Sequence, residues 1–239
     1  MPPPTPAPPG LHTALSSDEW FSACDPALQS ELLRLARIRH LAAGESLFAR
    51  GGEADGLCCV VAGALRIGAL NAEGHSSLLA WLEPYQWFGE ISLIDEQPRT
   101  HDAVADGPSQ VLLVPRGPLL AWLEGHPAVW RDMARLACRK LRVLFVALEE
   151  LAQLPLEERV WRRLQLVARG YDSRDTPRRH IRLSQEALAQ MLGVSRQSIN
   201  KALKTLEAGG RLCLHYGEIE LLGANGNPGS AAPAGPAMG

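Results

Sequence analysis

Apolar residues between positions 37 and 114 come in short runs, broken at near-regular intervals by glycine. The runs are Arg37–Leu41, Ser46–Ala49, Leu57–Ala62, Ala64–Leu70, Ser76–Leu82, His101–Ala105 and Gln110–Val114. Gly44, Gly51-Gly52, Gly63 and Asn71-Ala72-Glu73-Gly74 separate them. Many short strands at such spacing predict a β-sandwich or jelly-roll barrel. Ahead of them, Asp25 followed by Pro26 predicts a capped helix running to about Ala36.

After the strands the period changes to that of helices. No Gly or Pro interrupts Ala128 to Leu151, where Ala134, Ala137, Leu141, Leu144, Leu148 and Leu151 alternate at spacings of three and four. That is a short coiled-coil seam. Leu136, Val143 and Val146 form a second stripe, expected to pack on the β-domain, and two apolar stripes on one helix need two partners. A parallel dimer through residues 128–151 is therefore preferred over a core helix of a monomer. Pro155 predicts a hinge at about Gln153–Leu156 and a helix to about Ala168, with Val160, Leu164 and Val167 facing inward. Arg162, Arg163 and Arg169 are then free for solvent or DNA phosphate.

Leu183 to Leu206 reads as two amphipathic helices joined by a tight turn. Ser184 caps the first, whose apolar face carries Leu188, Met191 and Leu192. Gly193 suits its left-handed end. Ser195 caps the second, which buries Ile199, Leu203 and Leu206 and turns Arg196, Gln197, Asn200, Lys201 and Lys204 outward. Such a helix fits the major groove. Alone, the pattern fits a solvated helical hairpin equally well. Gly209-Gly210 and the alternating stretches Arg211–Tyr216 and Glu218–Leu222 add a β-hairpin wing, which favours DNA binding.

Charge sharpens this division. Residues 155–222 carry 12 Lys/Arg and 8 Asp/Glu, whereas residues 1–154 carry 12 and 18. A basic C-terminal part beside an acidic N-terminal part suits a sensor joined to a polyanion binder. No apolar run approaches the roughly 20 residues of a membrane span. MPPPTPAPPG lacks the layout of a secretory signal, and five cysteines form no even framework, so a soluble cytoplasmic protein is expected. No nucleophile–base arrangement or metal-ligand spacing stands out, so no enzyme activity and no metal are expected.

Phe88 to Thr100, FGEISLIDEQPRT, holds the remaining candidate chemistry. Gly89 permits close backbone approach. Ile91 to Leu93 suit one helical turn whose amides meet an anion. Arg99 offers a planar fork for phosphate and Thr100 a hydroxyl. Glu90 can accept from a sugar hydroxyl. Residue types alone leave a plain turn with a surface arginine open.

The stretch resembles the phosphate-binding cassette of cyclic-nucleotide-binding domains, F-G-E-[small or apolar]-x-L…P-R-[AST]. With the winged helix-turn-helix behind it, the chain resembles the cyclic-AMP receptor protein and fumarate–nitrate reductase regulator (Crp/Fnr) family over about residues 20–222. The resemblance implies an α+β protein: an N-terminal cyclic-nucleotide-binding β-roll (jelly roll), a long dimerisation helix and a C-terminal winged helix-turn-helix domain. The divisions expected are a disordered extension at 1–19, the β-roll at 20–127, helix and hinge at 128–153, the DNA-binding domain at 154–222 and a disordered tail at 223–239.

By the same resemblance Glu90 bonds the ribose 2′-hydroxyl, Arg99 and Thr100 hold the cyclic phosphate, and Gly89, Ile91 and Ser92 line the pocket. The effector is then cyclic AMP or cyclic GMP. A hydroxyl pair on the long helix reads the base in that family, and Leu144 and Phe145 stand at those positions here. Arg196 matches the guanine-reading arginine. Gln197 favours adenine and Lys201 replaces a second arginine. Ser198 and Lys204 lie beside phosphate, and Ser195 and Asn200 complete the DNA-binding set. The DNA expected is an imperfect palindrome, read by a homodimer, with RNA polymerase as a candidate further partner. Rival readings are a regulator that binds DNA without a cyclic nucleotide, one that senses haem or redox state (His40, His75 and His101 being ligands by type only), and a regulatory module of an enzyme. Cys24 stands alone in the N-terminal region, against an iron–sulfur cluster. Cys58 and Cys59 read as core or surface thiols.

Overall fold

Glycine-broken apolar runs give two packed sheets, and the helical periods give the layers around them. The structure is a computed structural model that describes residues 5–6, 10–70, 76–171, 174 and 176–222. In chain order the elements are β1 Thr5–Pro6, α1 Leu11–Leu15, α2 Glu19–Ser22, α3 Pro26–Leu35, β2 Arg37–Leu41, β3 Ser46–Phe48, β4 Gly56–Ala62, β5 Leu65–Leu70, β6 Ser76–Leu82 and β7 Trp87–Phe88. Then come α4 Glu90–Ile94, β8 Asp102–Ala105, β9 Ser109–Pro115, α5 Arg116–Glu124, a 3-10 turn at Pro127–Val129, α6 Trp130–Gln153 and α7 Leu156–Ala168. The C-terminal unit ends with β10 His180–Ile181, α8 Gln185–Leu192, α9 Arg196–Ala208, β11 Leu212–His215 and β12 Glu218–Leu221.

One sheet has the order β1-β2-β9-β4-β7 and the other β3-β8-β5-β6, all pairs antiparallel. β4 is central and covered on both faces, so it lacks the polar alternation of a half-exposed strand. Leu57 and Cys59 face the helices, whereas Cys58 and Val60 face the second sheet. Both thiols are core groups. Burial pushes Cys58 up to about 12 and raises Cys59 well above its ordinary value. α1, α2, α3, α5 and the start of α6 cover the outer face of the first sheet. The third sheet, β10-β12-β11, closes the C-terminal unit against α7, α8 and α9.

The N-terminal extension departs from expectation. Leu11 and Leu15 are buried in α1, and Trp20 and Phe21 in α2, while β1 pairs with β2 at Thr5↔Ile38. Phe21 stacks on Trp87 at 5.7 Å, and Trp20 Nε1 donates to the Asp132 carbonyl at 2.6 Å. These apolar side chains supply the burial that a proline-rich flank concealed, so disorder over 1–19 is corrected for residues 10–19. Residues 1–4, 7–9 and the tail 223–239 lie outside the described residues, as do the turn Asn71–Gly74 and His75. Two further elements escaped the sequence pattern, β7 and α5. The predicted long helix begins two residues late, after its 3-10 turn. Val146 is half exposed rather than packed on the β-domain. Among the described residues no helix is long and apolar enough to cross a membrane.

Asp18 caps α2 by accepting from Phe21 N at 2.8 Å, and it is almost fully buried. Burial outweighs that bond and pushes its carboxyl up to about 6. The folded state therefore favours the protonated acid, and the stability this confers is lost as pH rises from 3.8 through about 6. Asparagine keeps the cap without the charge. Asp18→Asn is expected to stabilise the protein by about 1–3 kcal/mol above that range, the gain vanishing toward its acid end. Urea titrations at several pH values check this, and a gain independent of pH would refute it.

The two halves are joined by more than the α6–α7 connection. Pre-proline Leu154 is extended, which ends α6. Leu78 and Trp81 of β6 pack into the C-terminal core with Val160 and Leu164. The Tyr171 hydroxyl accepts from Trp81 N at 2.9 Å, and Gln86 Nε2 donates to the Gly170 carbonyl. Arg174 and Arg178 both pair with Glu83, at 3.3 and 2.8 Å. Arg162 and Arg163 are not free as expected: Arg162 pairs with Glu150 and Glu158, and Arg163 reaches the Leu79 carbonyl.

Candidate functional site

β7 enters α4 through Gly89, whose φ of +90° suits glycine. A Cβ there would lie 2.6 Å from Arg99 Nη1 and 3.1 Å from the Gly56 carbonyl oxygen. Without a side chain, Gly89 contributes no side-chain cap to the first amides of α4, those of Glu90, Ile91 and Ser92. Arg99 is fixed by its own backbone, which bonds Gly51 and Gly52 at 2.8 and 2.9 Å. Its side chain is 2% exposed. The guanidinium donates to the Gly56 carbonyl at 2.7 Å, to Gly89 at 3.2 Å and to the Asp55 carboxylate, and lies 4.2 Å over the Phe48 ring. Its Nε is buried with no partner. A buried donor without an acceptor is uncommon in native proteins, and an anion entering beside it would satisfy it.

Glu90 is 1% exposed, and its carboxylate takes a 2.6 Å ion pair from Lys140 of α6. A buried carboxylate needs such compensation. Ser92 is also buried and donates to the Pro98 carbonyl. Thr100 is exposed, its hydroxyl 3.0 Å from His101 Nδ1. Burial and the Arg50 charge both lower the His101 pKa.

All six residues singled out in the cassette, Gly89, Glu90, Ile91, Ser92, Arg99 and Thr100, line one cavity of about 550 Å³. Lys140, Asp55 and Phe48 were missed. For Lys140 the signal existed: Leu136, Lys140, Val143 and Ala147 form an inward stripe at helical spacing, and the lysine is its only charge. Leu144 lines the cavity and Phe145 is exposed.

The second candidate surface is α9. Ser184 accepts from Ala187 N at 3.0 Å and starts α8, and Gly193 ends it at φ +64°. Ser195 accepts from Ser198 N at 3.1 Å and starts α9. Ile199, Ala202, Leu203 and Leu206 are buried, which turns Arg196, Gln197, Lys201 and Lys204 into solvent. Ser198 and Asn200 are half-buried at the edge of that face, and the Ser198 hydroxyl meets that of Ser195 at 2.9 Å. The β11–β12 hairpin is tied to α9 through Glu207, which accepts from Leu214 N. Arg211 pairs with Glu158 at 2.7 Å over the Trp161 ring and locks the hairpin base to α7.

Residues 38–126 match the cyclic nucleotide-binding domain family model, and residues 158–225 match the Crp-like helix-turn-helix domain model. The "Cyclic AMP receptor protein" of Thermus thermophilus is 30% identical over 179 residues, 74% of this chain and 80% of its own. A "CRP-like cAMP-activated global transcriptional regulator" of Mycobacterium tuberculosis is 28% identical over 185 residues, 77% and 83% respectively. Among solved structures, FixK2 from Bradyrhizobium japonicum superposes with a TM-score of 0.68 at 24% identity, covering 78% of this chain and 92% of its own. CLP from Xanthomonas campestris gives 0.65 at 20% identity, covering 83% and 100%.

Proposed function

Because the chain belongs to the Crp/Fnr family of DNA-binding transcription regulators, we propose that it acts as a homodimer gated by a 3′,5′-cyclic nucleotide, cyclic AMP or cyclic GMP. The observation that carries this reading is the buried guanidinium of Arg99, with an unsatisfied Nε, sharing a cavity with the sequestered carboxylate of Glu90. Arg99 and Thr100 take the cyclic phosphate, and Glu90 takes the ribose hydroxyl. Gly89, Ile91 and Ser92 supply the close backbone. Each protomer presents Arg196, Gln197 and Lys201 to base edges, with Asn200 beside them and Ser195, Ser198 and Lys204 toward phosphate. Two copies paired along α6 read an imperfect palindrome, and RNA polymerase is the further partner that such a regulator would meet. The exposed apolar face of α6, with Leu141, Leu144, Leu148 and Leu151, supports the pairing. Effector binding biases the α6–α7 junction only as far as it prefers the DNA-competent arrangement.

A second reading has support in the same charges. Glu90 is paired with Lys140 and Arg99 with Asp55, so the charges of the site are balanced within the chain. A regulator that binds DNA without nucleotide would look the same. Calorimetric titration with each nucleotide separates the two. Saturable binding is expected, weakened about hundredfold or more by Arg99→Ala, which removes two or more charge-assisted bonds. Absence of heat and of competition with either nucleotide, in folded protein, would leave the second reading standing.

A further inference from the structure

The cavity at the cassette does not stop at the effector domain. It is lined by Glu90, Arg99 and Lys140 and also by Arg163, Leu166 and Tyr171, which belong to the C-terminal unit. Between them it follows α6. From Lys140 to Ala147 is about 10 Å of helix, comparable with the length of a nucleoside monophosphate.

The chemistry changes along this length. Near Arg99 the walls are ionic and hydrogen-bonding. Farther along they are Leu79, Leu144, Leu166 and the Tyr171 ring. Arg163 stands among them and donates to the Leu79 carbonyl at 3.5 Å. An apolar chamber edged by an aromatic ring and a guanidinium suits a flat heteroaromatic base. Leu144 lines the same chamber and meets a base there by packing rather than by hydrogen bonds.

The far wall is held in place. Tyr171, in a left-handed conformation at φ +56°, accepts from Trp81 N, and Gln86 grips Gly170. The Glu83 pairs with Arg174 and Arg178 secure the same junction.

We propose that the base of the bound nucleotide occupies this chamber and packs on Leu166 and Tyr171, so that the effector touches the DNA-binding half directly. The proposal rests on the cyclic-nucleotide reading above. Effector occupancy then acts on the placement of α7, and through it on α9, without relay through the α6–α7 hinge alone.

The test uses the full chain and two probes, the tighter-binding cyclic nucleotide and ribose 3′,5′-cyclic phosphate, which keeps the sugar phosphate and lacks a base. Leu166 lies outside the buried core of the C-terminal unit, so Leu166→Ala leaves that core intact. Leu166→Trp fills the chamber instead. Both variants are expected to bind the nucleotide about tenfold more weakly, with affinity for the abasic probe unchanged. Unchanged affinity for both probes would overturn the chamber and leave the cassette reading in place. Equal weakening of both would also overturn it, because a general disturbance does not single out the base. A wild-type protein that binds neither cyclic nucleotide would remove both proposals together.

Discussion

Gly89→Ala is expected to destabilise the protein by about 2–4 kcal/mol and to weaken effector binding by about hundredfold. Two effects combine. Alanine is strained at φ +90°. Its Cβ also meets Arg99 Nη1 at 2.6 Å and the Gly56 carbonyl oxygen at 3.1 Å. The guanidinium cannot simply move away, because Asp55, Gly56 and Gly89 hold it and Phe48 covers it. Displacing it leaves the Gly56 carbonyl without its donor in a buried place. Urea unfolding followed by tryptophan fluorescence gives the stability, and calorimetry gives the affinity. Wild-type values for both would show that the placement of Arg99 does not depend on this turn.

The second large effect is expected at the proposed dimer seam. Leu148 is 54% exposed in the single chain and shares its face with Leu141, Leu144 and Leu151. Covering each leucine with a partner helix stabilises the pair by about 1.5–3 kcal/mol at most per side chain. Leu148→Glu replaces that with two carboxylates facing each other across the twofold axis. The variant is expected to sediment as a monomer with an unchanged far-ultraviolet spectrum. Its affinity for a palindromic duplex is expected to fall by about a thousandfold, because the second half-site no longer binds at high effective concentration. A variant that remains dimeric and binds normally would place the interface elsewhere.

Where local chemistry dictates structure, the sequence was readable. Ser184, Gly193 and Ser195 punctuate the helix-turn-helix by capping alone, and the described caps fall on those residues. β2 and β6 have the predicted ends. α5 was hidden because Gly117 and Pro118 sit in its first turn and imitate a loop. β7 is two residues long, too short for any period to register. α1 was masked by the prolines before it, although Leu11 and Leu15 were already spaced for one buried face.

The site divides the same way. Glu90 and Arg99 were visible as residue types in one short segment. Their counter-charges were not. Lys140 and Asp55 lie 50 and 44 positions away along the chain and meet them only through the packing of α6 and β4. That Leu166 and Tyr171 line the same cavity was further out of reach, since it depends on how the two halves dock.

Leu141 and Leu144 are exposed on α6 and also line the cavity at the cassette. Under the proposed function, these positions answer in evolutionary terms to two selections at once. A substitution that reshapes the cavity for a new effector also alters how tightly two copies join, and one that tunes assembly also changes the pocket. Substitutions there are therefore expected to be non-additive with changes at either surface. A lineage exploring new signals has its freest route at the opposite end of the cavity, where Leu79 and Leu166 line it without belonging to the seam.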